Sequence, residues 1–348
     1  MSGTSGGDRG APLRVGFLGA GLIANFHALG LFESGEDLAF AGVHDPDEGR
    51  AAEFAAGWGA TACATEDDVL DGCDVAYVCT WTSEHERLVA AACDRGLPVF
   101  CEKPLAFDAP RAQAMADRVA AAGVANQVGL VLRHSPAFGL LRHLVREPEA
   151  GRVMSVVFRD DQYIPVQGAY ASVWRGDKLR AGAGTLLEHS IHDVDVLEHC
   201  IGPVSSVSAR SSNFHGLDGI EDAVATVVAF ADGAVGVHTT VWHDVLERPS
   251  LRRIEVLCER RHIVVEGDWD GPVRWLTSGG TEQVVEGAAL AAACRERGIA
   301  HGNPDGAFVR AVRTGDVASP SFADAVRAHQ VVDAIYASAA EGGAPHAP

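Results

Sequence analysis

Residues 13–24 read LRVGFLGAGLIA. A short apolar run ends in Gly19-Ala20-Gly21-Leu22-Ile23-Ala24, and a helical pattern follows. This is the glycine turn of a dinucleotide-binding βαβ unit. Gly19 permits the tight turn. At Gly21 the missing side chain lets the backbone approach a pyrophosphate, and Ala24 is small enough for the helix to pack closely on the strand. The helix N-terminus offers free N–H groups and a positive dipole end to the phosphates. A glycine pattern alone also fits a chance Gly-rich turn, so the context decides. A second strand, Leu38 to His44, ends in Asp45, about 20 residues after the glycines, where an acid binds the adenosine ribose hydroxyls. Pro46 follows with no adjacent base, and Arg50 is the nearby cation. A carboxylate there repels a 2′-phosphate, so the expected cofactor is NAD rather than NADP.

The strand–helix alternation continues. Asp74 to Thr80 is a continuous apolar run, typical of a central parallel strand. Ser83 opens a helix that Gly96 closes. Pro98 to Cys101 is a short strand, Asp108 caps a helix to Ala122, and Ala125 to Leu132 is a further strand. This predicts a doubly wound parallel sheet. Near Arg152 the character changes. Asp222 to Phe230 and Ala234 to Trp242 flank Asp232-Gly233, a strong hairpin signal. Leu251 to Cys258 and His262 to Glu266 read as another antiparallel pair. One long helix, about Thr185 to Cys200, interrupts these strands, and three helical stretches follow, near Ala288–Arg297, Asp305–Thr314 and Ala323–Ala340. The fold class is therefore α/β: an N-terminal Rossmann domain over 13–132, then an α+β domain over 133–340 built on an open, largely antiparallel sheet. The C-terminal helices can pack back on either. Residues 1–12 read as a disordered leader and 341–348 as a disordered tail.

A chain of 348 residues suits two such domains. The net charge of −19 opposes nucleic acid or an anionic membrane as main partner. No run approaches 18 apolar residues, so no membrane span is expected. The leader lacks the apolar core of a signal peptide. The eight cysteines are scattered without C-x-x-C or zinc spacing, which points to reduced thiols and a cytoplasmic setting.

The helix from Thr185 carries Glu188, His192, Asp195 and His199 at spacings of 4, 3 and 4, one helical stripe. Leu187, Ser190, Val194 and Leu197 lie opposite. A solvated face of carboxylate–imidazole pairs fits that spacing. So does a general base, with Glu188 orienting His192. A zinc site fits less well, without H-E-x-x-H order or a clear distant ligand, and no metal is expected. Glu102-Lys103-Pro104 follows a parallel strand at its carboxyl end, where ligands bind in such sheets. A lysine there can hydrogen-bond a substrate hydroxyl and favour its alkoxide, or simply pair with Glu102. Thr80-Trp81-Thr82-Ser83-Glu84-His85 follows another strand end, where Trp81 can stack on the cofactor or cover the sheet.

GAGLIA at 19–24, Asp45, T-x-x-S-x-H at 80–85, Glu102-Lys103-Pro104 and GAGTLLEHSIHDVD at 182–195 together resemble the Gfo/Idh/MocA oxidoreductases, in the family's order. The resemblance implies that Lys103 and His192 flank the substrate carbon facing the nicotinamide. It implies that the cofactor runs along Gly19, Gly21, Leu22, Ile23, Ala24, Asp45, Thr80, Trp81, His85, Glu102 and Lys103. It further implies that Arg133, Trp174 and Arg175 lie near cofactor or substrate. Three positions depart from the pattern, one of them mildly: Ala183 stands in the middle of the family's triple glycine. Glu188 stands where the family has aspartate, and Trp81 where proline is common.

The implied activity is an NAD-dependent dehydrogenase acting on a secondary alcohol of a sugar, cyclitol or related polyol. His192 takes the hydroxyl proton, Lys103 favours the alkoxide, and Glu188 orients or relays. Redox-assisted epimerisation or glycoside cleavage with tightly held NAD is the alternative within the family. A non-catalytic NAD-sensing protein would be expected to lose the lysine or the histidine. An exposed face on the antiparallel sheet would favour a homodimer or homotetramer.

Overall fold

The computed structural model describes residues 11–168 and 170–348, so residues 1–10 of the leader expected over 1–12 lie outside the described residues. Strands β1 (Leu13–Leu18), β2 (Leu38–His44), β3 (Thr61–Ala62), β4 (Val75–Val78), β5 (Val99–Cys101) and β6 (Asn126–Val128) form a parallel sheet in the order β3-β2-β1-β4-β5-β6. Helices α1 (Leu22–Glu33), α2 (Glu48–Trp58), α3 (Glu66–Gly72), α4 (Thr82–Asp94) and α5 (Ala109–Ala122) supply the crossovers. The apolar runs in β1, β4 and β5 are buried on both faces, with Val15, Phe17, Tyr77 and Phe100 inaccessible. Asp47, Thr65 and Asp108 cap α2, α3 and α5 through their side chains. Helix α1 starts at Gly21 with no side-chain cap, which leaves its first N–H groups free for another acceptor.

After α6 (Pro136–Arg146) a second sheet begins. It comprises β7 (Val153–Tyr163), β8 (Val204–Ser212), β9 (Ala223–Phe230), β10 (Val235–His243), β11 (Leu251–Cys258), β12 (Arg261–Glu266), β13 (Val273–Thr277) and β14 (Gln283–Val285). The order is β14-β13-β12-β11-β7-β10-β9-β8, with every pair antiparallel except β7 and β10. Between β7 and β8 lie α7 (Lys178–Ala181) and α8 (Ile191–Val196), and after β14 come α9 (Gly287–Glu296), α10 (Pro304–Thr314) and α11 (Phe322–Ala340). Helix α10 packs on α1, sending Phe308 and Val309 into the core with Phe17, Tyr77 and Phe100. Helix α11 packs on α5 and on β8, so it bridges the two sheets.

Three expectations change. The single helix over 185–200 is interrupted: Thr185–His189 and Leu197–Ile201 are π-helical turns on either side of α8. The strand expected over 125–132 is only β6, because a 3₁₀ turn at Val131–His134 leads directly into α6. The tail is ordered. His346 and Val207 exchange backbone hydrogen bonds of 2.8 and 2.9 Å, and Ser338 donates to the carbonyl of Ala344. A local composition of Gly, Ala and Pro carries no sign of such a partner, which lies more than 130 residues away.

Candidate active site in the cleft beside the glycine turn

The order of the parallel sheet reverses between β1 and β4, the position at which such sheets bind ligands. Gly19 adopts φ 96°, and a side chain there would strike the carbonyl of Cys79 at the end of β4. Nothing stands where a side chain of Gly21 would project. Ala24 is fully buried against the sheet. The uncapped start of α1 therefore faces open space, as an NAD pyrophosphate requires. Asp45 accepts the Ala20 N–H at 2.9 Å, which ties the acidic strand end to the glycine turn. A cavity of about 390 Å³ runs from Gly19, Gly21, Leu22, Ile23 and Asp45 past Thr80 and Trp81 to Tyr170, Trp174 and Arg175. That volume lies in the usual range for ligand pockets. Trp81 forms part of the wall, with the Arg180 guanidinium 3.9 Å over its ring.

Two residues expected beside the cofactor act from behind it instead. His85 is 1% exposed, with ring nitrogens 3.0 Å from the Pro104 carbonyl and 3.3 Å from that of Thr80. Burial lowers its pKa, so it is a neutral strut between two loops and touches no open space. Glu102 is also buried. One of its oxygens lies 2.9 Å from Nε2 of His27, and the other accepts the Lys103 N–H at 3.1 Å. Nδ1 of His27 lies 2.8 Å from Asp305 at the start of α10. Burial pushes this imidazole down, but Asp305 and then Glu102 outweigh burial and raise it to about 10. The imidazolium thus clamps the strand-end turn. A side chain at Gly129 would collide with the Glu102 carboxylate, so this approach demands glycine. The signal for His27 was its place on α1 one turn past Ala24, which no local rule marks as buried.

Lys103 reaches across to the second domain's helix. Its Nζ donates to the Glu188 carbonyl at 2.6 Å and lies 3.4 Å from Glu188 Oε1. Arg175 donates to the same oxygen at 2.7 Å. Burial pushes the Glu188 carboxyl up, but Arg175 and Lys103 outweigh it and hold the group below its ordinary range. Glu188 therefore pairs with the two cations, and no hydrogen bond joins it to His192. This corrects the expected orienting role. The π turn adds a residue to the local repeat, which takes Glu188 and His192 off a common stripe. Nδ1 of His192 is buried with no partner. Burial, then Lys103, Arg252 and His189, keep this imidazole well below its usual pKa and hence neutral at pH 7.

The turn is built from glycines and one acid that the sequence reading passed over. Side chains at Gly182 and Gly184 would hit the Phe107 ring and the Glu221 backbone, whereas Ala183 is tolerated. The Glu221 carboxylate accepts the N–H groups of Gly184 and Leu186 at 2.8 and 3.0 Å and the Tyr336 hydroxyl at 2.8 Å.

The stripe is no solvated face: its carboxylates, Glu188 and Asp195, are both at most 2% exposed. Its far end also leaves the cleft. Arg133 is bound by Asp195 at 2.6 Å and Asp324 at 2.9 Å, and lines a separate cavity with Arg142, Arg146 and His199. It is not brought to the cofactor, because the 3₁₀ turn aims it at α8 and α11. The structure does bring together Lys103, Glu188, Arg175 and Trp174, with His192 one turn further along the chain and within electrostatic reach of Lys103.

Comparison with known proteins agrees with this architecture. Residues 13–130 match the profile described as the oxidoreductase family's NAD-binding Rossmann fold, and residues 138–264 match the GFO/IDH/MocA C-terminal domain. A 1,5-anhydro-D-fructose reductase of Ensifer adhaerens is 29% identical over 228 residues, covering 64% of this chain and 67% of that protein. A scyllo-inositol 2-dehydrogenase (NAD(+)) of Bacillus subtilis is 28% identical, covering 64% and 66%. A levoglucosan dehydrogenase of Pseudarthrobacter phenanthrenivorans is 26% identical over 334 residues, covering 78% and 80%. Among solved structures, a levoglucosan dehydrogenase in complex with NADH and L-sorbose superposes with a TM-score of 0.84 at 22% identity, covering 97% of this chain and 99% of that one. With both halves matched in order around an NAD cradle, the chain belongs to the Gfo/Idh/MocA family of NAD-binding oxidoreductases.

Proposed function

We propose that this protein moves hydride between NAD and a secondary alcohol or ketone of a sugar, cyclitol or related polyol. The observation that carries the reading is the Lys103 amine, held by Glu188 between the glycine-turn cradle and the His192 helix. When bound, NAD supplies the hydride acceptor. Lys103 donates to the substrate oxygen and stabilises charge as it develops there. His192, neutral at pH 7, takes the hydroxyl proton. Glu188 holds Lys103 and Arg175 in place, and Trp174, 5.2 Å from the Arg175 guanidinium, closes the wall. The names of the sugar and inositol relatives support the substrate class.

A panel of sugars and cyclitols, scanned for NADH absorbance, tests this. At least one polyol is expected to reduce NAD, and NADP is expected to serve at least about tenfold worse, because Asp45 lines the cavity at the glycine turn, where a carboxylate repels a 2′-phosphate. Equal turnover with NADP contradicts the role of Asp45. Substrate consumption without net NADH identifies redox-neutral epimerisation or cleavage instead. Glu188→Asp shortens the side chain by one methylene and draws the carboxylate away from Arg175. It should raise KM about tenfold while changing kcat less. Steady-state kinetics on the best panel substrate checks this, and unchanged KM removes Arg175 from the substrate wall.

The outer face of the antiparallel sheet exposes Met154, Val157, Val227, Val235, Val237 and Leu257. An apolar face of this kind supports a homodimer or homotetramer, which analytical ultracentrifugation reads directly. The eight unpaired thiols, most of them buried, fit a reducing cytoplasm; labelling after cell fractionation checks the location.

A further inference from the structure

The turn that carries Glu188 ends in a second histidine that the family's residue pattern does not use. His189 ends the π turn, next to Glu188 and three residues before His192. Its Nε2 lies 2.9 Å from Asp160 on β7. Asp160 is 2% exposed and also receives Arg252 Nη2 at 2.9 Å and the Ser190 hydroxyl at 3.2 Å. Burial pushes this carboxyl up, but Arg252 and then His189 hold it well below its ordinary range, so it is ionised. Arg252 in turn is fixed by Asp193 at 2.6 Å and by Asp268.

This geometry sets the tautomer. A carboxylate only accepts, so a bare Nε2 at 2.9 Å would set lone pair against charge; the proton therefore sits on Nε2. Arg252 Nη2 also lies 3.3 Å from the same nitrogen, but its shorter hydrogen bond, at 2.9 Å, goes to Asp160. Nδ1 is left as a bare acceptor with no protein partner among the described residues. It is also not among the buried unpaired atoms, unlike Nδ1 of His192. The His189 side chain is 20% exposed on a segment that is otherwise buried. His189 directly follows Glu188, whose carbonyl and carboxylate hold the Lys103 amine, which places it beside the reacting groups. Of the two histidines, only His189 has the orienting carboxylate that holds a ring in one direction.

We propose that His189, held by Asp160, accepts a hydrogen bond from a second hydroxyl of the substrate, adjacent to the one handled by Lys103 and His192. The substrate class narrows to polyols with two neighbouring hydroxyls, and His189 is a specificity-determining residue. This rests on the polyol reading above.

The test uses the NAD-loaded full chain, the best panel substrate and its monodeoxy analogues. Wild type should lose about 10- to 100-fold in kcat/KM for one deoxy position beside the reacting carbon. His189→Leu should lose a similar factor on the full substrate, mostly in KM. Its preference for that substrate over the same analogue should collapse to within about threefold. His189→Gln, which restores an acceptor oxygen, should recover part of the preference. Nitrogen-15 NMR of wild-type imidazoles should show a His189 resonance in the Nε2–H form, a readout that needs neither substrate nor a folded variant. Undiminished discrimination in His189→Leu overturns the proposal, as does an Nδ1–H tautomer. If no panel compound reduces NAD, the polyol reading fails, while the tautomer measurement still reports on His189.

Discussion

Lys103→Met is expected to lower kcat by about 10²- to 10⁴-fold while leaving the NADH Kd within a few-fold of wild type. Methionine keeps the length and apolar stem of lysine but removes the ammonium. The lost contacts are the 2.6 Å hydrogen bond to the Glu188 carbonyl and the approach to its carboxylate. The substrate oxygen then develops charge with no cation beside it. The cofactor cradle is made elsewhere, by the glycine turn, Asp45 and the start of α1, so binding of NADH should survive. Stopped-flow kinetics and fluorescence titration of NADH separate the two quantities. A variant that keeps full turnover would remove Lys103 from the chemistry.

His27→Leu is expected to cost about 3–5 kcal/mol, because it leaves Glu102 and Asp305 buried without their shared cation. Thermal unfolding near neutral pH should show a Tm about 5 to 10 °C lower. The pH dependence distinguishes this from a simple cavity. The folded-state pKa of His27, about 10, is raised above its unfolded value. The imidazolium's contribution is therefore fully present below pH of about 6.5 and lost as pH rises to about 10. The gap between wild type and variant should close over that window. Tyr77 and Cys79, which also face these carboxylates, are pushed up by burial and do not lose their protons within it. A gap that stays constant from pH 6 to pH 10 would mean that His27 acts only by filling space. Turnover should fall as well, since Glu102 anchors the Lys103 backbone.

Local rules work best where the backbone itself carries the signal. The turn at Gly19 needs a positive φ, the start of α1 needs an uncapped end, and β1, β4 and β5 need unbroken apolar runs. Each requirement is met within a few residues, so each could be read one stretch at a time. The Asp232-Gly233 hairpin and the caps at Thr65 and Asp108 are of the same kind. The histidine helix failed for the opposite reason. Its period was read as 3.6, but Glu221, Tyr336 and close backbone contacts at Gly184 hold Thr185–His189 in a wider turn. Those partners lie more than 30 residues away in the chain.

The sequence by itself determined the parallel sheet, the NAD-binding Rossmann domain and the order of the motifs in which Lys103 and His192 are the expected cleft residues. Their signatures are local: turn glycines, strand ends and a short motif in fixed order. Only the tertiary structure decided which charges meet. It paired Glu188 with Arg175 and Lys103 rather than His192, sent Arg133 to Asp195 and Asp324, and withdrew Glu102 and His85 behind the site. It also gave His189 the buried Asp160 that His192 lacks. The reason is physical. An ionised group buried in a core must find a partner wherever packing offers one, and the partner's place in the chain is set by topology, not by spacing.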